Sequence, residues 1–273
     1  MVNCIYPRRK PRMNKIYFTK MHGLGNDFVV IHSDNLPHLP VSTLADRHQG
    51  IGFDQLLVIE PSSRADFFCR IFNADGSEAE QCGNGLRCVA RYLYEHHLSK
   101  KEFSLETKAG VYPIKIENFD KISVGMGVPR IQHPTFHLHL PHHTSPIEIT
   151  VLDVGNPHAI IRVNELNPSQ TRALGEMIAT HTDFPNGINV GFMQIKNKHH
   201  IALRTYERGT GETLACGSNA CAAVAAGMTQ HGLKSPVSVE YCYGSLEIAW
   251  DGDAQPIHLT GPAVHVFSGE ISI

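Results

Sequence analysis

Glu78-Ala79-Glu80-Gln81-Cys82-Gly83 and Glu212-Thr213-Leu214-Ala215-Cys216-Gly217 are one pattern, Glu-xxx-Cys-Gly, written twice in the same chain. Two further matches keep the same order. Gly25-Asn26 leads into the apolar run Phe28-Val29-Val30-Ile31, and Gly155-Asn156 leads into Ala159-Ile160-Ile161. Gly50-Ile51-Gly52 pairs in the same way with Gly187-Ile188-Asn189. The second copies begin 130, 137 and 134 residues after Gly25, Gly50 and Cys82. Each match alone carries little, but three in order read as a duplicated fold. Two long units form a pair of domains, because a solenoid needs more and shorter repeats.

Each Cys-Gly step opens a helix. After the first, Leu86, Val89, Ala90 and Leu93 share a face, which leaves Arg87, Arg91 and Glu95 elsewhere. After the second, residues 220–228 are apolar all round, the mark of a helix buried on every side. Short alternating or β-branched runs surround both: Lys15–Thr19, Leu56–Ile59, Val111–Ile116, Ile147–Val151, Ile201–Thr205, Val237–Tyr241 and Ser245–Ile248. Gly, Pro, Asn and Asp bound them, so they read as strands. The expected fold is therefore α+β, with two pseudo-symmetric domains. Each is a mostly antiparallel, barrel-like sheet wrapped around a central helix, and the active site lies in the cleft between them. The expected limits are 13–130, completed by the C-terminal strand 262–273, and 131–261, with the join in the stretch from Gly125 to Pro134.

The 273 residues carry a formal charge of −2 and 18% charged side chains, a balance that points neither to nucleic acid nor to a membrane surface. No apolar run approaches the roughly 20 residues that span a bilayer. Residues 1–12 hold Arg8, Arg9, Lys10 and Arg12 with no apolar segment after them, so they read as a disordered extension and not as a secretory signal. Seven scattered cysteines, an odd number, argue against a disulfide scaffold and for a reducing compartment, by default the cytoplasm. His133, His137, His139, His142 and His143 crowd one stretch, but no carboxylate or cysteine nearby completes a metal site. A surface strand or loop is expected there.

A helix start favours negative charge, because its first N–H groups are unpaired and its dipole is positive. A thiol placed there is expected to fall from about 8.5 toward 7 or lower. Adjacent glycines let a ligand approach the backbone. Three other readings of the cysteines compete. Zinc favours C-x2–4-C pairs, which C-x5-C misses and C-x4-C meets only loosely, and a redox dithiol favours C-x-x-C. Burial as small hydrophobes suits Cys88 and Cys221, which lie inside their helices, but not Cys82 and Cys216, which open them. Two equivalent domains would present Cys82 and Cys216 on opposite sides of one cleft. That arrangement inverts a stereocentre without a cofactor: one sulfur removes a proton from one face and the other returns one to the opposite face.

Seven stretches in order resemble the diaminopimelate epimerase family: Met21–Phe28, Gly50–Gln55, Phe72–Glu78, Gln81–Gly85, Gly155–His158, Tyr206–Gly209 and Ala215–Ser218. The resemblance runs from about Met13 to the C-terminus. It implies interconversion of LL- and meso-2,6-diaminopimelate, on the route to lysine and peptidoglycan, without pyridoxal phosphate or metal, and a homodimer. It implies that Cys82 and Cys216 are acid and base, assisted by His158 and Glu207. It assigns substrate contacts to Asn26, Gln55, Asn73, Gly83, Asn84, Asn156, Asn189, Glu207, Arg208, Gly217 and Ser218. The chemistry suits those types, since amide side chains both donate and accept and an arginine holds a carboxylate by two bonds. The rival readings are a proline or hydroxyproline racemase-like enzyme and a non-enzymatic thiol-redox or metal-binding protein. Two departures stand out. Asn219 occupies a place where the family usually has Gly; a first-turn Asn is tolerable there, though it could crowd the helix start or shift turnover. Phe267 occupies a dimer-contact place where the family commonly has Tyr.

Overall fold

The computed structural model describes residues 15–33, 39–141 and 143–272. The basic extension 1–12 and His142 lie outside the described residues.

The first half begins with β1 (Lys15–Gly23), β2 (Asn26–His32), the short α1 (Val41–Ala45), β3 (Gln55–Glu60), β4 (Phe67–Asn73) and β5 (Glu78–Ala79). It continues through α2 (Gly83–His96), β6 (Glu102–Thr107), β7 (Gly110–Asn118) and β8 (Lys121–Gly125). Then come β9 (Arg130–Leu138), β10 (Ile147–Asp153), β11 (Pro157–Arg162), α3 (Pro168–Ala179), β12 (Asn189–Asn197), β13 (His200–Glu207) and β14 (Gly211–Thr213). The chain ends with α4 (Gly217–Gln230), β15 (Val237–Tyr241), β16 (Gly244–Ala249), β17 (His258–Gly261) and β18 (Val264–Ser272).

The pairings repeat. β2 runs parallel to β3, and β4 parallel to β6; in the second half β11 runs parallel to β12, and β13 parallel to β15. The other described pairings are antiparallel. β8 pairs with β17 and joins the halves into one sheet, while β18 returns to pair with β1, as β9 pairs with β10. The sheet is not closed: it wraps each central helix and stops at β9 and β18.

One of the three repeat matches is corrected by this register. Phe28 stands opposite Gln55 and His158 opposite Asn189, so Asn189 is the counterpart of Gln55. Gly187-Ile188 therefore answers Phe53-Asp54, not Gly50-Ile51. A three-residue motif was too short to fix an alignment that the strand register does fix.

Alternation along the strands sorts the core into layers. Leu57 and Ile59 face α2 in a cluster that also takes in α4, while Leu56 and Val58 face an outer cluster with α1. In the second half Met193 joins the central cluster, and Val190 and Phe192 face outward with Ile178 of α3. At about 25 cal/mol per Å² of buried apolar surface, such fully buried aliphatic side chains stabilise the fold by about 1.5–3 kcal/mol each. α4 is buried from Gly217 to Gly227, as its all-apolar pattern implies. α2 differs from expectation at one place. Arg87, assigned to the face away from the apolar stripe, is fully buried. The first turns of α2 are buried throughout, from Gly83 to Ala90, so position 87 has no solvent to face. Of the histidine-rich stretch, His133 and His137 lie on the exposed strand β9 along the open edge of the sheet, and His139 and His143 follow its end.

Candidate active site

Cys82 and Cys216 are the N-cap residues of α2 and α4, both in extended backbone. The Sγ of Cys82 accepts a hydrogen bond from the Gly85 amide at 3.3 Å. The two helix starts abut. A side chain added at Gly83 or at Gly217 would come within 2.8 Å of the same methyl, Cδ2 of Leu259 on β17. Asn84 Nδ2 donates both to Asn26 Oδ1 at 3.2 Å and to the carbonyl of Ala215, next to Cys216, at 3.1 Å.

The two Gly-Asn turns complete the enclosure by crossing over. Gly25 is in the left-handed region at φ 86° and lies against Leu214, two residues before Cys216. Gly155, at φ 99°, lies against Gln81, the residue before Cys82. Each half thus lays its turn on the approach to the other half's cysteine.

Around Cys216 the groups are acidic and hydroxylic. Its thiol donates to Glu207 Oε2 at 3.2 Å and lies 3.4 Å from Ser218 Oγ. Thr213 Oγ1 donates to the other oxygen of Glu207. Tyr241 donates its hydroxyl to the Cys216 carbonyl at 2.8 Å, which pins the cap. Burial pushes Glu207 above the usual carboxylate range, against the pull of the Thr213 and Cys216 donors.

Both thiols run against the lowered pKa expected from their helix starts. Burial pushes Cys82 up to about 12; the Gly85 and Asn84 amides and Arg87 oppose it, and Glu207 adds to it. Cys216 stands well above its ordinary value, through burial first and the Glu207 charge second. The amides act as expected, but withdrawal from water outweighs them.

His158 is fully buried, and its Nε2 pairs with Asn156 Oδ1 at 2.9 Å. Burial and the nearby Arg208 lower its pKa to about 3, so the imidazole is neutral, and its Nδ1 has no partner among the described residues. Asn189 links the same strand to Arg208, donating to the Pro157 carbonyl at 3.1 Å and accepting from the Arg208 amide at 3.1 Å. Gln55 Nε2 donates to Asn73 Oδ1 at 2.9 Å. Gln55 Oε1 and Asn84 Oδ1 are buried acceptors without partners among the described residues. Together with His158 Nδ1, they suit a ligand that carries ammonium groups. Arg208 is exposed and lines an open groove of about 580 Å³ beside α3, a groove that neither thiol lines.

Several members of the site carried no sequence signal of their own. Arg47 makes a forked pair with Asp27 at 2.8 and 2.9 Å and reaches Asp54 at 2.8 Å. Asp54 in turn accepts from Asn26 Nδ2 at 2.9 Å, which fixes the amide that meets Cys82 and Asn84. Thr213 and Tyr241 belong to the same group. Only their contacts reveal them. Asn219 does not crowd its helix start: it is fully buried, donates to the Val190 carbonyl at 3.2 Å and fills the space left by Gly191.

Comparison with known proteins agrees with this architecture. The family model for diaminopimelate epimerase matches residues 18–132 and 150–266, once in each half. A diaminopimelate epimerase of Nitrosospira multiformis is 46% identical over 95% of this chain and 99% of its own. One from Coxiella burnetii is 48% identical over 94% of this chain and 99% of its own. A crystal structure of a hydroxyproline epimerase from Agrobacterium vitis shares the fold at a TM-score of 0.74, with 17% identity over 96% of this chain and 93% of that one. Both halves match the family model and the identity extends over nearly the whole length: the chain belongs to the diaminopimelate epimerase family.

Proposed function

We propose that this chain interconverts LL- and meso-2,6-diaminopimelate, in lysine and peptidoglycan precursor synthesis, by proton transfer between Cys82 and Cys216. The observation that supports the reading is the packing of both Cys-Gly helix starts against the same methyl of Leu259, which brings the two caps together. Cys82 as thiolate takes the α-proton from one face of the carbon. The electron pair moves onto the substrate carboxylate, held by the free N–H groups of the helix starts. Cys216 then delivers its proton to the opposite face. Glu207, which accepts from that thiol, takes part in restoring its proton. His158, neutral and with Nδ1 free, assists from the start of β11, which follows the Gly155 turn that lies against Gln81.

The substrate's ammonium offsets the burial that raises both thiols, because a cation close by favours the thiolate. Asn26, Gln55, Asn73, Asn84, Asn156, Asn189 and Ser218, with the backbone of Gly83 and Gly217, serve the two amino-acid ends, and Arg208 serves a carboxylate. No cofactor takes part in these steps. Of the described residues, those within 13–130 and 262–273 form one lobe and those within 131–261 the other. A second copy of the chain pairs at the β1–β18 face, where Tyr17 is 70% and Phe267 47% exposed. The dependence on free thiols fits the cytoplasm. No described helix is long and apolar enough to cross a membrane.

The test is deuterium incorporation at the α-carbon, read across a substrate panel in heavy water. Exchange is expected with diaminopimelate and lost in both Cys82→Ala and Cys216→Ala, with circular dichroism unchanged. Near-normal turnover in either variant would remove the two-thiol mechanism. Exchange with proline alone would remove the substrate.

A further inference from the structure

Glu78 and Glu212, which open the repeated Glu-xxx-Cys-Gly stretches, take no part in the proton transfer, yet both halves hold them in the same way. Glu212 stands opposite Tyr206 and Glu78 opposite Phe72, each on the short strand that leads to its cysteine. Arg204 and Arg70 lie two residues before those strand partners, so each arginine shares a sheet face with its glutamate. Arg204 Nε donates to Glu212 Oε1 at 2.9 Å, and Arg70 Nε lies 3.4 Å from Glu78 Oε1. A second cation holds the other oxygen in both halves. Arg172 of α3 lies 3.3 Å from Glu212 Oε2, and Lys108 lies 3.9 Å from Glu78 Oε2. One ion triad thus occurs twice, four residues ahead of each thiol.

The triads lie on the outer face of the sheet, where Tyr206 and Phe72 also pack. The residue next to each glutamate holds a side chain of the site. Thr213 donates to Glu207, which accepts from the Cys216 thiol at 3.2 Å. In the first half Ser77 Oγ accepts from Asn73 Nδ2 at 3.0 Å, and Asn73 is the counterpart of Glu207 by strand register. The triads differ in depth. The side chain of Glu212 is 13% exposed and that of Arg204 31%, against 34% for Glu78 and 43% for Arg70. Water screens the shallower pair, and losing one partner matters more in the deeper one.

We propose that Glu212, clamped by Arg204 and Arg172, is a positioning residue that fixes β14 so that Thr213 holds Glu207 against the Cys216 thiol. The inference rests on the two-thiol reading above and adds to it the residue that aligns one of its acid–base groups. Glu78 is the shallower copy of the device and acts on Asn73 through Ser77.

The test is a double-mutant cycle on kcat. Glu212→Gln keeps the shape and removes the charge. It should lower kcat about tenfold, within the range for a misplaced catalytic group, with KM changed far less. In a Glu207→Gln background the same substitution should have almost no effect, because the group it aligns is already gone. Arg204→Met should match Glu212→Gln, and Arg204→Lys should recover most of the rate. Equal losses with and without Glu207, or an unchanged kcat in Glu212→Gln, would overturn the proposal. If Glu212→Gln does not fold, Thr213→Val decides. It leaves the triad intact, cuts the link to Glu207 and should reproduce the loss; an unaltered kcat there overturns the proposal. Turnover that survives Cys216→Ala would sink the two-thiol mechanism itself, a result separate from the coupling between Glu212 and Glu207.

Discussion

The thiol of Cys216 donates to Glu207 Oε2 at 3.2 Å, while Thr213 donates to the other carboxylate oxygen. A half-buried carboxylate whose raised pKa favours the protonated form is placed to help return a proton to Cys216 once that thiol has protonated the substrate. Glu207→Gln removes that acid–base group and keeps the shape. A fall in kcat of about 10²–10⁴ is expected, the range for loss of a positioned acid–base group. Stability should go the other way. Burial raises the pKa of Glu207, so its ionised form weighs against the folded state as pH rises through that raised value. The uncharged variant should melt no lower than the original at pH 8, read by thermal unfolding. A large drop in melting temperature would mean that Glu207 acts as a structural anchor instead.

His158 has its pKa lowered to about 3 by burial and by Arg208. Its imidazole should stay neutral across the working range, and its ring resonances should not move between about pH 5 and 9. The linkage sign follows. The unfolded chain binds a proton at this residue below about 6.5 and the folded protein does not, so folding stability is lost as pH falls from that value toward 3. His158→Gln should flatten that part of the stability curve, measured by urea unfolding. A titration of His158 near its ordinary value would contradict the placement of its ring.

Asp27 is held at about 2 by Arg47 and Lys20, which outweigh its burial. A carboxylate lowered in the folded state stabilises it above the unfolded value, and that stability is lost as pH falls through the folded one. A shift from 3.8 to about 2 corresponds to roughly 2 kcal/mol. Asp27→Asn should therefore cost about that much at pH 7 and progressively less below pH 4, approaching nothing near pH 2. KM should rise as well, because Asp27 and Asp54 share the Arg47 clamp that orients Asn26. A deficit that stayed constant with pH would mean the ion pair is not its source.

The elements that carry the thiols were legible because their signals are local. A Cys-Gly step before an apolar helix needs no tertiary knowledge, and its repetition supplied the pseudo-symmetry. What surrounds the helices was not legible in the same way. Periodicity divides a helix into an inner and an outer face, but α2 is enclosed at its start, so Arg87 was placed outside when it lies inside. The pKa expectation failed for the same reason: sequence reveals a helix start but not how much water reaches it. α3 escaped notice although Asn167 caps it, accepting from Ser169 and Gln170, and Pro168 opens it. Its weakly apolar face covers only the outer side of the sheet. α1, five residues long, offers too little periodicity to read.

The two halves solve one packing problem in opposite ways, and that difference can be tested. In the first, Gly85 of α2 faces Leu57 of β3, where an added Cβ would lie 3.1 Å from a Leu57 methyl. In the second, the equivalent pair is Asn219 of α4 against Gly191 of β12, with the large residue now on the helix. A Cβ added at Gly191 would collide with the Asn219 amide and come within 2.7 Å of Ile160. Gly191→Ala should cost about 1–3 kcal/mol, the usual range for overpacking a tight core. Asn219→Gly alone removes the donor to Val190 and leaves a void, and should also destabilise. Combined, the two should cost clearly less than their sum, because each relieves the other's defect. A double-mutant cycle by urea unfolding measures that coupling. Additive losses would show that Asn219 and Gly191 do not share one space, and that the Asn at this helix start is tolerated for another reason.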